Sequence, residues 1–521
     1  MTKQTFIKGA MILLAAGVIN RILGFVPRIA LPRIIGAEGV GLYQLSYPFL
    51  AVMLTIITSG IPLAVAKWIA EAQSNGDEER VRHIFRSAML LTIFLAITLT
   101  SLLLLFSPWI TAHLLPDKRV QRTFMFMTPM LLIVGISSVF RGYFQGKQNM
   151  IPSAASQIVE TVLRIIFSLG FAMLLLPKGL EWAAAGAMLG VVVGEIGGLA
   201  VLLWKYAREK RTPPQLPEAS KPSTAVDKAP IMGKLLSLSI PVTASRLVGS
   251  LSYLLESIFT ARSLATAGIA TGIATAQYGA LQGMVIPLIL LPTALTYSLA
   301  SSLIPSLAEA ASRGDMATIH KRLHQSMRLA LVAGAPFVVI LGLFAEPICR
   351  MLYNHSEIAP MLQLLAPVGL FIYLQAPLQA TLQALDKPGK ALMNTLIGAA
   401  IKLVLIIYLA SKPEFGIYGA LIAINLNIVL VTALHGISVL KLIGFRMKLR
   451  DFMKVLSAMV VMGAAARFVM NHEPLAAEWV NLLVACACGA IVYFALMVWT
   501  NIIDRHDLTR LPKIGHWFSR T

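Results

Sequence analysis

Apolar segments long enough to cross a membrane recur along almost the whole chain. Because a helix needs about 20 mostly apolar residues to cross a hydrocarbon core of ~30 Å, each such segment is a candidate span. Fourteen windows qualify: 5–27, 40–66, 87–108, 123–144, 152–176, 182–204, 236–261, 273–300, 328–348, 361–384, 391–411, 416–440, 452–470 and 480–502. No A-x-A cleavage site follows the first window, which is therefore interpreted as a retained span. The pattern predicts an all-α polytopic membrane protein with 14 transmembrane helices.

The composition excludes a soluble enzyme and a disordered scaffold. Hydrophobic residues make up 57% of the chain and charged residues only 13%, whereas soluble domains are about 25% charged. The net charge of +20 would suggest nucleic acid in a polar protein. Most of the basic residues lie in short gaps between apolar windows, which indicates a membrane surface instead. Membrane lipids are therefore expected partners, and nucleic acid is not.

The distribution of Lys and Arg predicts the orientation of the chain. If the N-terminus is cytoplasmic, the inner segments hold 30 of these residues and the outer loops hold 10. Cytoplasmic loops of membrane proteins carry an excess of Lys and Arg. We therefore predict a multi-pass protein of the cell membrane with both termini in the cytoplasm.

The two halves of the chain match each other when shifted by 238 residues. The clearest match is A-E-A-x-S-x-G-D, which occurs at 70–77 and again at 308–315. Further equivalent positions are Gly41 and Gly279, Gln44 and Gln282, Gln145 and Gln383, and Arg164 and Lys402. Because each half has six spans, the repeats share one orientation, as in one class of transporter, in which substrate binds between the two bundles.

This repeat predicts four segments. They are an N-terminal six-helix lobe at 1–205, a basic proline-rich cytoplasmic linker at 206–234, a second six-helix lobe at 235–441, and two additional helices with a cytoplasmic tail at 442–521.

Basic residues inside or beside the spans are the candidate substrate-binding residues. A cation in hydrocarbon is costly, so it usually faces a hydrated cavity and marks a transport pathway. Guanidinium groups suit phosphate and carboxylate, so these residues favour an anionic substrate. The candidates are Arg21, Arg164, Arg246 and Lys402 within spans, and Arg28 at the predicted outer mouth.

Three acidic residues also lie within spans, and we interpret them as ion-pair or coupling residues. Glu160 and Arg164 are four residues apart on one predicted helix and can pair. Glu256 could also neutralise Arg246, although the two residues are ten positions apart and do not lie on adjacent turns. Glu195 lies among glycines typical of close helix packing, so a structural role is as consistent with its position as a coupling role.

No motif indicates an enzyme. The chain contains no GxxxxGK[ST], HExxH or GxSxG, and its three cysteines form no CxxC pair. We therefore expect no catalytic residues, no metal site and no cofactor.

Three sequence runs carry a resemblance to a known family. They read N-R-I-L-G-F at 20–25, I-G-A-E-G-V-G-L-Y-Q at 35–44 and R-G-Y-F-Q-G at 141–146. Together they resemble polysaccharide transporters of the multidrug/oligosaccharidyl-lipid/polysaccharide exporter superfamily, and the first run also resembles the lipid II flippases. The likeness extends over the whole chain, which resembles members of the family found in endospore-forming Firmicutes.

This resemblance implies a V-shaped pair of six-helix lobes, followed by two C-terminal helices, around a cavity that opens alternately to each face. It implies a flippase that translocates an undecaprenyl-pyrophosphate-linked peptidoglycan precursor, similar to lipid II, for spore cortex synthesis. The lipid-linked sugar is then the substrate, and cell-wall synthases are further candidate partners. Arg21 and Arg28 match basic positions of the family, whereas an acidic residue early in its second span has no clear counterpart, which leaves ion coupling open.

Two other functions stay open. A small-molecule or drug cation antiporter of the same superfamily would depend on Glu160 or Glu256 rather than on the cations. A non-transporting membrane scaffold for cell-wall synthesis would have no need of charges inside hydrocarbon.

Overall fold

A computed structural model describes residues 6–211, 231–472 and 477–502, and these are almost entirely helical, with no β-strand among them. Helices satisfy every backbone hydrogen bond within the segment, as the interior of a membrane requires. The all-α fold predicted from the sequence is confirmed. Most of the predicted linker 206–234 and the C-terminal tail lie outside the described residues.

The chain divides into two compact units, Met1–Met284 with Ser411–Ile417, and Val285–Ala410 with Tyr418–Thr521. Helices of the first unit are α1 (Phe6–Leu23), α2 (Phe25–Thr58), α3 (Ile61–Ser74), α4 (Glu78–His113), α5 (Val120–Met127), α6 (Met130–Gly146), α7 (Ile151–Leu175), α8 (Leu180–Arg211), α9 (Ile231–Thr266) and α10 (Thr271–Gly279). The unit boundary differs in position from the predicted linker, so the predicted lobe boundaries remain a prediction.

The second unit is also built from helices. They are α11 (Ile286–Ile289), α12 (Thr293–Ser312), α13 (Met316–Leu343), α14 (Ala345–Tyr353), α15 (Ala359–Leu365), α16 (Gly369–Ala384), α17 (Pro388–Ala410), α18 (Ile417–Ile443, whose first residue groups with the first unit), α19 (Leu449–His472) and α20 (Glu478–Trp499). The last two helices pack on α13, and they add Met462 and Tyr493 to the core of this unit.

Twelve helical segments in the described part of the chain are long and apolar enough to cross a membrane. Two of the predicted windows, 5–27 and 40–66, largely fall inside one segment of 60 residues, Ala15–Ser74. The window 273–300 is divided among α10, a π-helical stretch (Ala280–Val285), α11 and the start of α12, so no single described helix covers it. The protein is therefore a multi-pass membrane protein, and the number fourteen remains a prediction.

The gap at 28–39 between the first two predicted windows is mostly helical in the structure. Helix α2 runs through it and changes direction at Gly36, whose φ of 65° and ψ of 179° are not helical. A positive φ is readily adopted by glycine and rarely by other residues. The break sets the direction of the second half of α2, which carries Tyr43 and Tyr47.

The internal repeat is visible as repeated backbone geometry. Helices α3 and α12 are each followed by a glycine of positive φ, Gly76 at 72° and Gly314 at 68°. The next residues, Asp77 and Asp315, each accept a hydrogen bond from a backbone N–H in the first turn of α4 and α13, at 2.8 and 2.9 Å. The G-D pair is therefore the turn and N-cap between two helices in both halves.

Candidate functional site

Helices α7 and α8 pack with their backbones in contact, and this contact positions the charged residues of the site. A Cβ added to Gly190 would lie 2.1 Å from Ser168 N, and one at Gly194 would lie 2.8 Å from Glu160 O. With Gly198, these glycines recur every four residues, so they form one face of α8. Small residues at this spacing let membrane helices approach closely.

Glu160 on α7 is the centre of a charged cluster. Its Oε2 accepts a hydrogen bond from Arg141 Nη2 on α6 at 2.7 Å, and Arg164 Nη1 lies 3.4 Å from its Oε1. Arg164 also reaches Thr161 Oγ1 at 3.4 Å. The predicted i, i+4 pair is thus present, but the shorter ion pair of Glu160 is with Arg141.

Glu195 on α8 is the second carboxylate of this cluster. It is 5% exposed, and the charges of Glu160, Arg141 and Arg164 act on it. Its Oε2 is buried and has no hydrogen-bond partner in the part of the chain that the structure describes. We call Glu160 and Glu195 the buried acid pair.

Two tyrosines of α2 stack on each other, and two of the predicted cations act on one of them. The rings of Tyr43 and Tyr47 on α2 stack with centroids 6.5 Å apart. Arg164 and Arg28 both act electrostatically on Tyr43, and Arg28 also acts on Tyr253 of α9. Two of the predicted cations therefore act on one phenol, and guanidinium and hydroxyl groups can both bind phosphate oxygens.

The other predicted residues are distributed over different helices. Arg21 is exposed near the end of α1, which packs against α7. Arg246 is exposed on α9, whereas Glu256 on the same helix is buried and accepts a hydrogen bond from Gln282 Nε2 at 3.0 Å. Lys402 is buried on α17 of the second unit, so its association with the cations of the first unit remains a prediction.

Sequence reasoning missed a second polar cluster in the first unit. Asp117 is 2% exposed and accepts hydrogen bonds from Arg119 Nε at 3.0 Å, Arg119 Nη2 at 2.8 Å and Thr275 Oγ1 at 2.8 Å. Arg119 Nη2 also binds Glu38 Oε1 at 2.6 Å. We call these four residues the Asp117 cluster.

The Asp117 cluster joins three segments that are far apart in sequence. Glu38 comes from α2, Asp117 and Arg119 come from the α4–α5 connection, and Thr275 comes from α10. The hydrogen bonds to Asp117 raise the pKa of the Arg119 guanidinium most, and those to Glu38 raise it further, whereas burial alone would lower it. The guanidinium therefore stays charged and holds α2 and α10 to the α4–α5 connection through carboxylates.

Known proteins share both sequence and fold with this chain. The family described as polysaccharide biosynthesis protein matches residues 6–311. Stage V sporulation protein B of Bacillus subtilis (strain 168) is 40% identical over the full length of both chains. Lipid II flippase MurJ of the same organism is 27% identical and covers 94% of each chain. The predicted resemblance is confirmed.

Two solved structures share the fold. One is described as lipid II flippase MurJ in an inward closed conformation, with a TM-score of 0.70 and 14% identity over 94% of this chain and 99% of that chain. The other is an inward-facing multidrug resistance MATE family transporter, with a TM-score of 0.64 and 14% identity over 81% of this chain and 94% of that chain.

Proposed function

This chain belongs to the polysaccharide biosynthesis protein family, and from that premise we propose that it is a flippase for a lipid-linked cell-wall precursor. The substrate is an undecaprenyl-pyrophosphate-linked peptidoglycan precursor similar to lipid II, and the setting is spore cortex synthesis. The observation that carries the proposal is the 40% identity, over the full length, to a sporulation protein, together with a lipid II flippase among the relatives.

The charged residues within the spans support an anionic cargo. Arg28 and Arg164 both act electrostatically on Tyr43, and guanidinium groups bind diphosphate oxygens in pairs. In our proposal they bind the pyrophosphate with Arg21, Arg246 and Lys402, while the polyprenyl tail stays in lipid. The headgroup then crosses by alternating access, with both termini of the chain in the cytoplasm.

The acids favour this cargo over a cationic drug. Glu160 is already neutralised by two guanidinium groups, and Glu256 accepts a hydrogen bond from Gln282. An exporter of cations needs carboxylates that are available to the cargo. In the antiporter alternative, Glu160→Gln or Glu256→Gln would abolish transport while Arg21→Ala and Arg246→Ala would not.

Reconstitution tests the proposal directly. Purified full-length protein in liposomes should move lipid II from one leaflet to the other, measured by the accessibility of its headgroup to an added enzyme or lectin. Arg21→Ala and Arg246→Ala should insert and fold but lose this movement. Arg313→Ala is a matched control, because within the described part of the chain Arg313 forms only an exposed surface pair with Glu309.

Two results would contradict the proposal. Activity equal to that of the unmodified protein in both Arg21→Ala and Arg246→Ala would remove the site assignment. Absence of lipid II movement by the unmodified protein, with and without ion gradients, would favour the scaffold alternative.

A further inference from the structure

The buried acid pair carries the wrong charge to bind an anionic cargo, yet both of its residues are buried within the first unit. Glu160 is 9% exposed and Glu195 is 5% exposed. They lie on α7 and α8, whose backbones are held together by Gly194 and Gly198. The backbone segments that carry the two residues are therefore held close together by this helix contact.

The guanidinium groups neutralise only one of the two carboxylates by direct ion pairs. Arg141 and Arg164 each pair with an oxygen of Glu160. Glu195 Oε2 is buried without a hydrogen-bond partner among the described residues. An ionised carboxylate in this position would be desolvated beside another negative charge, and both effects disfavour ionisation. A proton on Glu195 removes the second charge and supplies a donor.

We propose that the buried acid pair binds one exchangeable proton and that Arg164 links this proton to the anionic cargo. The inference rests on the proposed function for its cargo, but the proton site itself rests on the geometry of α6, α7 and α8. The ligand is a proton taken from water: the Glu195 carboxylate becomes a carboxylic acid, and the reverse step returns the proton to water.

The linkage follows from the two unequal ion pairs of Glu160. Arg141 holds Oε2 at 2.7 Å, whereas Arg164 is 3.4 Å from Oε1 and also acts electrostatically on Tyr43, as Arg28 does. When a diphosphate takes Arg164 away from Glu160, the acid pair loses a positive charge and gains affinity for a proton. Binding of the anion and binding of the proton therefore favour each other, as linkage requires.

The charged neighbours are consistent with this assignment. Helix α6 contributes Arg141, α2 contributes Tyr43, and α1, which packs along α7, carries Arg21. From α5, Arg122 pairs with Glu181 near the start of α8, at 2.8 Å, so it is already neutralised by another carboxylate.

An infrared measurement tests the proton site without any cargo. The full-length protein in detergent or lipid should show the C=O stretch of a protonated carboxylic acid near neutral pH. Glu195→Gln should remove this band, and Glu256→Gln, another buried acid in a span, should retain it. Loss of the band in Glu256→Gln but not in Glu195→Gln would overturn the assignment. Absence of the band in the unmodified protein would also overturn it, and that measurement does not require any variant of the pair to fold.

A gradient experiment tests the linkage. For cargo coupled to one proton, a difference of one pH unit across the liposome membrane shifts its distribution between leaflets by about tenfold. We expect this shift for the unmodified protein and for Arg313→Ala. Any lipid II movement that remains in Glu195→Gln should bring the ratio of lipid II between the two leaflets to about one, whatever the gradient.

The outcomes separate the two proposals. If the unmodified protein moves no lipid II but shows the carboxylic acid band, the proposed function fails and the proton site stands. If it moves lipid II equally well at every gradient, the proposed function stands and the linkage is wrong.

Discussion

Gly41 on α2 and Gly279 on α10 lie backbone against backbone. A Cβ at Gly279 would lie 2.4 Å from Gly41 N and 2.2 Å from Ala37 O, and a Cβ at Gly41 would lie 2.0 Å from Thr275 O. These glycines are 238 residues apart and are equivalent in the internal repeat. The two halves of the sequence thus meet here through corresponding positions, next to the Asp117 cluster.

Gly279→Ala should loosen the crossing of α2 and α10, because no space exists for even one methyl group. Overpacking of this kind costs about 1–3 kcal/mol. The measurement uses Thr275→Cys in a background without the three native cysteines. Its thiol should react several-fold faster in Gly279→Ala than in the protein with Gly279, with a membrane-impermeant maleimide added from the predicted outer side. Gly249→Ala is the control, because a Cβ at Gly249 meets no atom within 4 Å; equal rates in both variants would contradict the expectation.

Asp117→Asn should weaken the same contact from its polar side. The substitution removes the charge that Arg119 binds with two nitrogens and that Thr275 also contacts. Hydrogen bonds to charged groups contribute about 1.5–3 kcal/mol, so the thermal unfolding midpoint should fall. Lys118→Ala changes the exposed residue between them, and a similar fall in both variants would argue against a specific role for Asp117.

Arg141→Gln and Arg164→Gln should separate stability from transport. Removing one partner of a buried ion pair costs about 3–5 kcal/mol, and the 2.7 Å pair of Glu160 is with Arg141. Arg141→Gln should therefore lower the unfolding midpoint more, while Arg164→Gln should lower lipid II movement more at a smaller cost in stability. Equal effects of both variants on both measurements would show that the two guanidinium groups have one shared structural role.

The start of α13 should become less stable in acid. Hydrogen bonds from the Thr318 side chain and backbone lower the pKa of Asp315 below its ordinary 3.8. A carboxylate with a lowered folded-state pKa contributes its full stability above 3.8 and loses it as the pH falls through the lowered value. Amide exchange of Thr318, corrected for its intrinsic rate, should therefore lose protection in acid.

Asp315→Asn is the control for that experiment, because asparagine caps helices but does not titrate. Its protection at Thr318 should stay constant over the same acid range. An identical loss of protection in both proteins would mean that another group is responsible.

Hydropathy and spacing predict much of this fold but few of its contacts between helices. The apolar windows correspond to helices because a span must satisfy its own backbone. The pairing of Glu160 with Arg164 could be predicted because both residues lie one turn apart on a single helix. The contact with Arg141 could not be predicted, since it depends on how α6 packs against α7. The only sequence signal of Arg141 is its place as the first residue of the R-G-Y-F-Q-G run.

The Asp117 cluster escaped prediction for a different reason. Asp117 and Arg119 lie in a predicted outer loop, where charges are normally solvated, and Glu38 is 81 residues from Arg119. Nothing local indicates that α10 covers Asp117 and buries it. The matching glycines of the repeat were the available signal, because a glycine at equivalent positions of both halves is expected where backbones approach closely.

The turns after α6 and α16 have the same backbone conformation in the two halves of the chain. Gln148 and Asp386 occupy equivalent positions, and their φ angles are 57° and 55° although their side chains differ. Glycine would adopt this conformation most easily, yet neither half uses it. The internal repeat is therefore visible in dihedral angles at positions where the amino acids differ, so a comparison of backbone torsions can align the two halves where their sequences do not match.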